Sequence, residues 1–362
     1  MADEPIGPAP VGSAPVGSAP LGQPTVRPTM KDVAAAAGVG LKTVSRVVNG
    51  ESGVREATAQ RVRAAVAQLG FRRNDSARLL RQGRHTSSVG LVLDDVSDPF
   101  SSLLHRAVEE VARAHGSLLF TGSSAADPAR ERELTLAFCA RRVDGLIVVP
   151  TSAEHSYLAQ EMAAGTAVVA VDRPLPGLAA DAVLSDNRGG SRSGADHLLR
   201  QGHRRIGYLG DLPGIFTAAE RLHGYRQAMA DAGCAVQSHW VSMGGPDPVG
   251  VRLALDRMLA GRHPVTAVLC GNNRTSVAVL REWGTRAQRP ALVGFDDFEL
   301  ADLLATPVTV VAQDPIRLGR TAAQLLFRRL AGERGRPQLI ELPTRLIPRG
   351  SGESAPAPEP AR

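Results

Sequence analysis

Leu41, Lys42, Ser45 and Arg46 fall together within the stretch Leu41 to Val48. Helical spacing there assigns Val44, Val47 and Val48 to packing, so these four side chains need not face a core. An ammonium, a hydroxyl and a guanidinium beside one apolar group are the means by which proteins touch base edges and phosphates. A second set is spread along the chain. Asp172, Asn272 and Asp296 come just after the short apolar runs AVVAV, AVLC and ALVGF, and Arg221 lies near the start of the helical stretch behind IGYLGD. Carboxylates accept from neighbouring hydroxyls and a guanidinium donates in a planar fork. Together the four suit a polyhydroxylated ligand such as a sugar. Plainer roles are open to each: Asp172-Arg173-Pro174 as a turn with a local ion pair, Asp296-Asp297 as a helix cap.

The first set needs a pair of short helices to present it. Thr29 is an N-cap candidate with Asp32 three residues on, and Met30, Val33, Ala34 and Ala37 share one helical face. Gly38-Val39-Gly40 breaks that helix where a left-handed residue is needed, and Asn49-Gly50 stops the second. A third helix over about Glu56 to Leu69 offers Ala59, Val62, Ala65, Val66 and Leu69 on one side; Gly70 ends it and Phe71 closes the small core. This is the pattern of a helix-turn-helix that lays its second helix in the DNA major groove. A plain antiparallel helix pair is the bland alternative. A phosphate loop is excluded, because Leu41 separates Gly40 from Lys42.

The stretch KDVAAAAGVGLKTVSRVVNG resembles the DNA-binding headpiece of the lactose-repressor (LacI/GalR) family of bacterial transcription regulators, with A-G-V-x-x-x-T-V-S-R-V-x-N as its signature. The resemblance implies that Leu41, Lys42 and Arg46 read base edges while Thr43, Ser45 and Asn49 lie near phosphates. Two departures matter. Gly40 stands where the family has serine or threonine opening the second helix, and Leu41-Lys42 is this chain's own reading pair, so no relative's operator can be copied. Arg55 likewise replaces the serine or aspartate that usually opens the third helix.

Charge supports a nucleic-acid partner. Between Thr29 and His85 there are eleven bases and four acids, a net +7 against +6 for the whole chain. A basic module on a near-neutral body is what phosphate-backbone binding requires. Apolar content of 43% and charged content of 22% are those of globular material. No apolar run approaches the ~18 residues of a membrane span. The acidic, proline-rich MADEPIGPAP does not look like a secretory signal, so a cytoplasmic protein is expected. Cys139, Cys234 and Cys270 lack metal-ligand spacing and are expected to be buried free thiols; no cofactor is expected.

Residues 1–28 repeat Pro-Val-Gly-Ser-Ala from Pro10 and Pro15 and are expected to be a disordered arm. Residues 29–73 form the headpiece and 74–87 a hinge. In the hinge, Asn74 caps and Gly83 ends a short basic helix that carries two leucines. So short a helix is unstable alone and makes sense if it forms on DNA against a partner subunit's copy. It resembles the family's N-x-x-A-R-x-L hinge helix, which implies Leu80 as a minor-groove wedge and Ala77 as the small contact residue between paired helices.

From Ser88 the pattern becomes alternating β and α. VGLVL, SLLF, GLIVV, AVVAV, IGYL, AVLC and ALVGF look like buried parallel strands. Two doubly wound α/β lobes over 88–350 follow, with the chain crossing between them more than once. The family resemblance extends over this body through DDVSDPF, VDRP, GHRRIGYLGD and VGFDD, implying a periplasmic-binding-protein-like effector domain. Its four effector positions match Asp172, Arg221, Asn272 and Asp296, while Asn273 replaces the usual aspartate. TVVAQDPIRLGRTAAQLLFRRL is expected to return to the first lobe as a helix, and 351–362 to be a disordered tail without the leucine heptads of a tetramer. An aromatic sugar platform has four candidates: Trp240, Trp283, Tyr157 and Phe100.

The leading reading is a homodimeric, sequence-specific transcriptional regulator, a repressor, that binds a pseudo-palindromic duplex and responds to a small polar effector. A solute-binding protein of a transport system is the alternative, though it has no use for a basic headpiece. An enzyme is disfavoured by the lack of a G-x-S-x-G elbow, a nucleotide glycine fingerprint or an HExxH motif. His105, His115, His197, His203 and His223 share no spacing and read as structural or surface groups.

Overall fold

The first helix, α1 (Met30–Ala37), begins at a complete capping box: the Thr29 side chain accepts from the Asp32 N–H and the Asp32 carboxylate accepts from the Thr29 N–H at 2.7 Å. Gly38 ends it in the left-handed conformation at φ 62°. Helices α2 (Leu41–Val48) and α3 (Glu56–Leu69) begin at Gly40 and Arg55, and neither residue supplies a side-chain cap. Val33, Ala37, Val44, Val62 and Ala65 form the core of the trio, with Phe71 and Leu69 packed against it. This computed structural model describes residues 28–71, 87–284 and 286–356. The chain divides into two units at Arg78/Leu79, and the three helices are the described part of the first. Residues 1–27 of the expected 1–28 arm, and the hinge helix with Ala77 and Leu80, lie outside the described residues.

The second unit holds two six-stranded sheets. The first contains β1 (Ser88–Leu93), β2 (Leu118–Ser123), β3 (Gly145–Val148), β4 (Ala167–Val171), β5 (Asp181–Ser185) and β11 (Leu339–Leu342), in the order β11-β5-β4-β3-β1-β2. The second contains β6 (Ile206–Gly210), β7 (Val241–Met243), β8 (Ala267–Cys270), β9 (Ala291–Phe295), β10 (Thr309–Ala312) and β12 (Arg345–Ile347), in the order β12-β10-β9-β8-β6-β7. The order is the same in both, and all pairs are parallel except β10 with β12. The expected two-lobed, doubly wound body is therefore present. Helices α4 (Pro99–Ala114), α5 (Pro128–Ala140) and α6 (Tyr157–Ala163) belong to the first lobe; α7 (Asn187–Arg200), α8 (Phe216–Asp231), α9 (Pro248–Leu259) and α10 (Asn273–Trp283) belong to the second.

Three expectations need correction. TVVA is not helical: it is β10 of the second sheet, and only α11 (Pro315–Leu330) returns to the first lobe, where Leu318, Ala322, Leu325 and Leu326 join its core. The approach of α11 to α4 is so close that a Cβ on Gly319 would meet the Leu104 carbonyl oxygen at 2.6 Å. Next, SLLF is not buried. As an edge strand β2 pairs only with β1, leaving Leu118 70% exposed. Finally, the chain beyond Ser351 does not begin as a loose tail. Ser351 is buried, donates from Oγ to the Leu292 carbonyl at 2.6 Å and accepts from the Thr309 N–H at 2.9 Å. Glu353 meets His197 Nε2 at 2.7 Å, and the Ser354 carbonyl meets His203 Nε2 at 2.8 Å. These contacts give the two buried histidines structural roles.

Chain crossings fall after β5, after β10 and between β11 and β12, so each lobe is discontinuous. Cys270 is buried and its thiol is pushed up to about 12 by burial; Cys139 and Cys234 are only partly buried, and all three are free. No described helix is long and apolar enough to cross a membrane.

Candidate functional site

Helix α2 turns Val44 fully inward and leaves Leu41, Lys42 and Arg46 exposed, with Leu41 at 47%. Thr43, Ser45 and Asn49 are half-buried beside them. The Asn49 amide donates to Ser45 Oγ at 3.3 Å and to Glu51 Oε1 at 3.0 Å, so two of the three polar candidates are already held to each other. One continuous face thus carries an apolar group, an ammonium, a guanidinium and a pair of short polar side chains. It can hydrogen-bond to base edges while its flanks meet phosphate oxygens.

In the second unit, Asp172, Arg221, Asn272 and Asp296 all line one cleft between the lobes, with a volume of about 430 Å³. That is the size of a small-ligand site. Asp172 ends β4 and Asp296 ends β9, the equivalent strands of the two lobes. Both are in the left-handed region, at φ 69° and 65°, and each donates its N–H to the strand beyond, to Val183 and Val311, at 2.9 Å. A non-glycine residue held there costs on the order of 1 kcal/mol, and such strain gathers at functional sites.

Arg221, 5% exposed on α8, donates to Asn187 Oδ1 at 2.7 Å, to the Gly271 carbonyl at 2.7 Å and to Asp296 Oδ2 at 3.2 Å. Its guanidinium also lies 3.9 Å from the Phe295 ring centre. Asp296 receives a second donor, Gln313 Nε2, at 2.6 Å. Asn272 caps α10 through the Thr275 N–H and donates to Asp211 Oδ2, both at 2.8 Å. Asp172 lies 3.4 Å from Arg173 Nε. Burial raises the Asp172 pKa despite the opposing pull of Arg173 and Arg221.

Sequence reasoning missed several lining residues. Arg173 is more than half of a local turn: it donates to Asp94 Oδ2 at 2.8 Å and to the Pro150 carbonyl at 3.0 Å. Asp94 and Asp211 follow β1 and β6 just as Asp172 and Asp296 follow β4 and β9, so the rule that found one pair would have found the other. Gln313, on a crossover between lobes, carried no signal. Among the aromatic candidates Phe100 lines the cleft; Trp240 and Trp283 lie in the second lobe's core, and Tyr157 donates to the buried Glu131 at 2.9 Å. Among the described residues, contacts that span the lobes include Asn273 Nδ2 to Asp98 Oδ1 at 3.4 Å and Arg274 to Asp95 at 3.7 Å.

Known proteins match on both units. A family profile described as "Bacterial regulatory proteins, lacI family" matches residues 29–74, and one described as "Periplasmic binding protein-like domain" matches residues 195–352. The HTH-type transcriptional regulator GalR of Escherichia coli (strain K12) is 33% identical over 335 residues, covering 91% of this chain and 97% of that protein. The solved transcriptional regulator CelR–cellobiose complex is 31% identical with a TM-score of 0.66, over 90% of this chain and 100% of that one. The lac repressor dimer bound to operator and the anti-inducer ONPF shares the fold, at 24% identity and a TM-score of 0.76, over 91% and 100% of the two chains.

Proposed function

Because the chain belongs to the lacI family of bacterial regulatory proteins and is a DNA-binding transcriptional regulator rather than a transport solute-binding protein, we propose how its parts divide that work. Residues 29–73 bind the operator. Leu41, Lys42 and Arg46 reach base edges, while Thr43, Ser45 and Asn49 hold phosphates. Two subunits bind a pseudo-palindromic site as a homodimer, acting as a repressor in the cytoplasm. By family resemblance, the 74–87 segment contributes Leu80 as a wedge in the minor groove and Ala77 as the small residue at which the paired hinge helices meet.

The cleft within 88–350 binds a small polar effector, a sugar or sugar derivative, through Asp172, Arg221, Asn272 and Asp296. It binds and reports without turnover. The observation that carries this reading is the convergence of all four residues on one cleft: Asp172 and Asp296 just past strand ends, Asn272 at a helix N-cap and Arg221 in the second turn of α8. The cellobiose held by the similar regulator supports the ligand class.

Fluorescence anisotropy on the full chain with the duplex flanking its own gene tests the DNA half. Affinity should fall with salt at a log–log slope of about −0.9 per phosphate contacted. Arg46→Ala should lose roughly 1–3 kcal/mol and relax discrimination at one base pair per half-site. Salt-insensitive binding, or equal weakening on every sequence, overturns the assignment of α2 as the reading helix.

A further inference from the structure

The charge of the cleft narrows the effector beyond "polar". Six aspartates line it, Asp94, Asp95, Asp98, Asp172, Asp211 and Asp296, against three arginines, Arg173, Arg221 and Arg274. Two of the three guanidiniums, those of Arg173 and Arg221, are committed to the protein, while the more exposed Arg274 makes only a loose pair. Arg173 serves Asp94, the Pro150 carbonyl and Asp172; Arg221 serves Asn187, the Gly271 carbonyl and Asp296; Arg274 lies 3.7 Å from Asp95. Asp98 and Asp211, one from each lobe, form no salt bridge among the described residues; Arg274 acts on Asp98, and Arg173 and Asp211 act on each other, only from farther off. Asp98 accepts from the Phe100 N–H at 2.9 Å and the Asn273 amide at 3.4 Å, and Asp211 from the Leu212 N–H and the Asn272 amide, both at 2.8 Å.

The unsatisfied groups point the same way. Asp94 Oδ1 and Gln313 Oε1 are buried lining oxygens without a protein donor. The remaining lining atom of this kind, Arg173 Nε, already faces Asp172 at 3.4 Å. Buried acceptors call for a ligand that donates. Burial, with the charge of Asp296 adding to it, raises the Asp98 pKa, so one more negative charge would meet a field that already resists its own carboxylates.

We propose that the cleft takes a polyol that carries no negative charge, a neutral sugar or an amino sugar, and rejects sugar acids and sugar phosphates. Asp98 and Asp211 are the residues that set this exclusion. The inference rests on the carbohydrate reading above and adds the sign of the ligand's charge to it.

Calorimetry on the full-length protein at neutral pH with matched probes decides it: glucose and cellobiose, the amino disaccharide of two glucosamines, and the anionic counterparts gluconate, cellobionate, glucose 6-phosphate and 6-phosphocellobiose. A unit charge brought within several ångströms of a carboxylate that has no salt-bridge partner, in a site of effective dielectric about 20, should weaken binding on the order of 100-fold. The neutral or amino member of a set should therefore bind, and its anionic counterparts should bind that much more weakly. Asp98→Asn keeps a helix-capping side chain; it and Asp211→Asn should each close the gap by about tenfold, read only on variants with wild-type circular dichroism. An anionic member binding as tightly as its neutral parent overturns the charge exclusion while leaving a carbohydrate site in place. No binding by any probe, or by a wider set of neutral mono- and disaccharides, overturns the carbohydrate reading and the exclusion with it.

Discussion

Replacing Arg221 with alanine should do two things at once, and the structure gives the size of each. The side chain is 5% exposed and holds three acceptors: Asn187 Oδ1, the Gly271 carbonyl and Asp296 Oδ2. Truncation strands the first two as buried neutral acceptors at about 1–2 kcal/mol each. Asp296 keeps the Gln313 amide but loses its cation, which adds a charge penalty. Loss of the guanidinium face on Phe295 removes a further contact of about 1 kcal/mol. A total of roughly 3–5 kcal/mol follows, in line with breaking a buried pair from one side. For a unit of this size that lowers the melting temperature by about 2–4 °C per kcal/mol. Arg221→Lys keeps the charge without the planar fork and should fall in between. Thermal unfolding by circular dichroism measures the loss, and calorimetry with the best-binding sugar measures the effector. Operator affinity of the refolded variant at low temperature should stay near wild type, because the helical trio belongs to a separate unit. A melting temperature within 1 °C of wild type would refute the packing argument; unchanged sugar affinity would move the ligand away from Arg221.

Arg55→Asp supplies the N-cap that α3 lacks, at a backbone conformation of φ −60° and ψ 138° that accepts one, and should stabilise the headpiece by about 1 kcal/mol in denaturant titrations. Glu131→Gln should cost roughly 1–3 kcal/mol at neutral pH, because the carboxylate is buried and accepts from His155, Thr151 and Tyr157. Burial pushes the Glu131 pKa up, but those donors win and the net shift is downward, so its stabilisation exists above the ordinary glutamate value of 4.5 and vanishes as pH falls through the lowered one. The gap between wild type and variant should therefore shrink on acidification, and a gap that widened would contradict the assigned sign. Asp172→Gly removes a left-handed strain and a carboxylate whose pKa burial raises, so it should leave stability unchanged or up to about 1 kcal/mol higher while weakening the sugar. A loss of stability like that of Arg221→Ala would make Asp172 a structural residue.

Where local chemistry decides an element, the sequence was readable. The Thr29–Asp32 box, the left-handed Gly38 and the helix over Glu56–Leu69 are set by residues a few positions apart. Central strands such as AVVAV and ALVGF are apolar on both faces because helices cover both, so each stands out as an unbroken run. The missed strands were hidden in other ways. DAVLS begins with an aspartate that is buried because Arg329, 148 residues away, holds it through two hydrogen bonds at 2.7 and 2.8 Å. TVVA runs directly into a helix, but Asp314 caps that helix, and the lobe changes between the two. Ser351 and Glu353 look like the start of a low-complexity tail until their long-range partners, Leu292, Thr309 and His197, are in place.

The cleft was half legible for a reason that lies in the repeat of the two lobes. The same strand order places β1 opposite β6 and β4 opposite β9 in the scheme, and each of those four strands is followed by an aspartate in the cleft: Asp94, Asp211, Asp172 and Asp296. Reading only the β4 and β9 ends yields two carboxylates beside two guanidiniums, Arg173 and Arg221, which looks balanced. Reading all four, and adding the Asp95 and Asp98 of the DDVSDPF loop, reverses the balance toward negative charge. The replacement of aspartate by Asn273 then has a physical sense. Its amide donates to Asp98 across the lobes at 3.4 Å, where a carboxylate would face another carboxylate as both lost water. Like charges so placed cost several kcal/mol. An uncharged donor at 273 and an excess of acceptors elsewhere act in the same sense, since each suits a cleft that turns away a further negative charge.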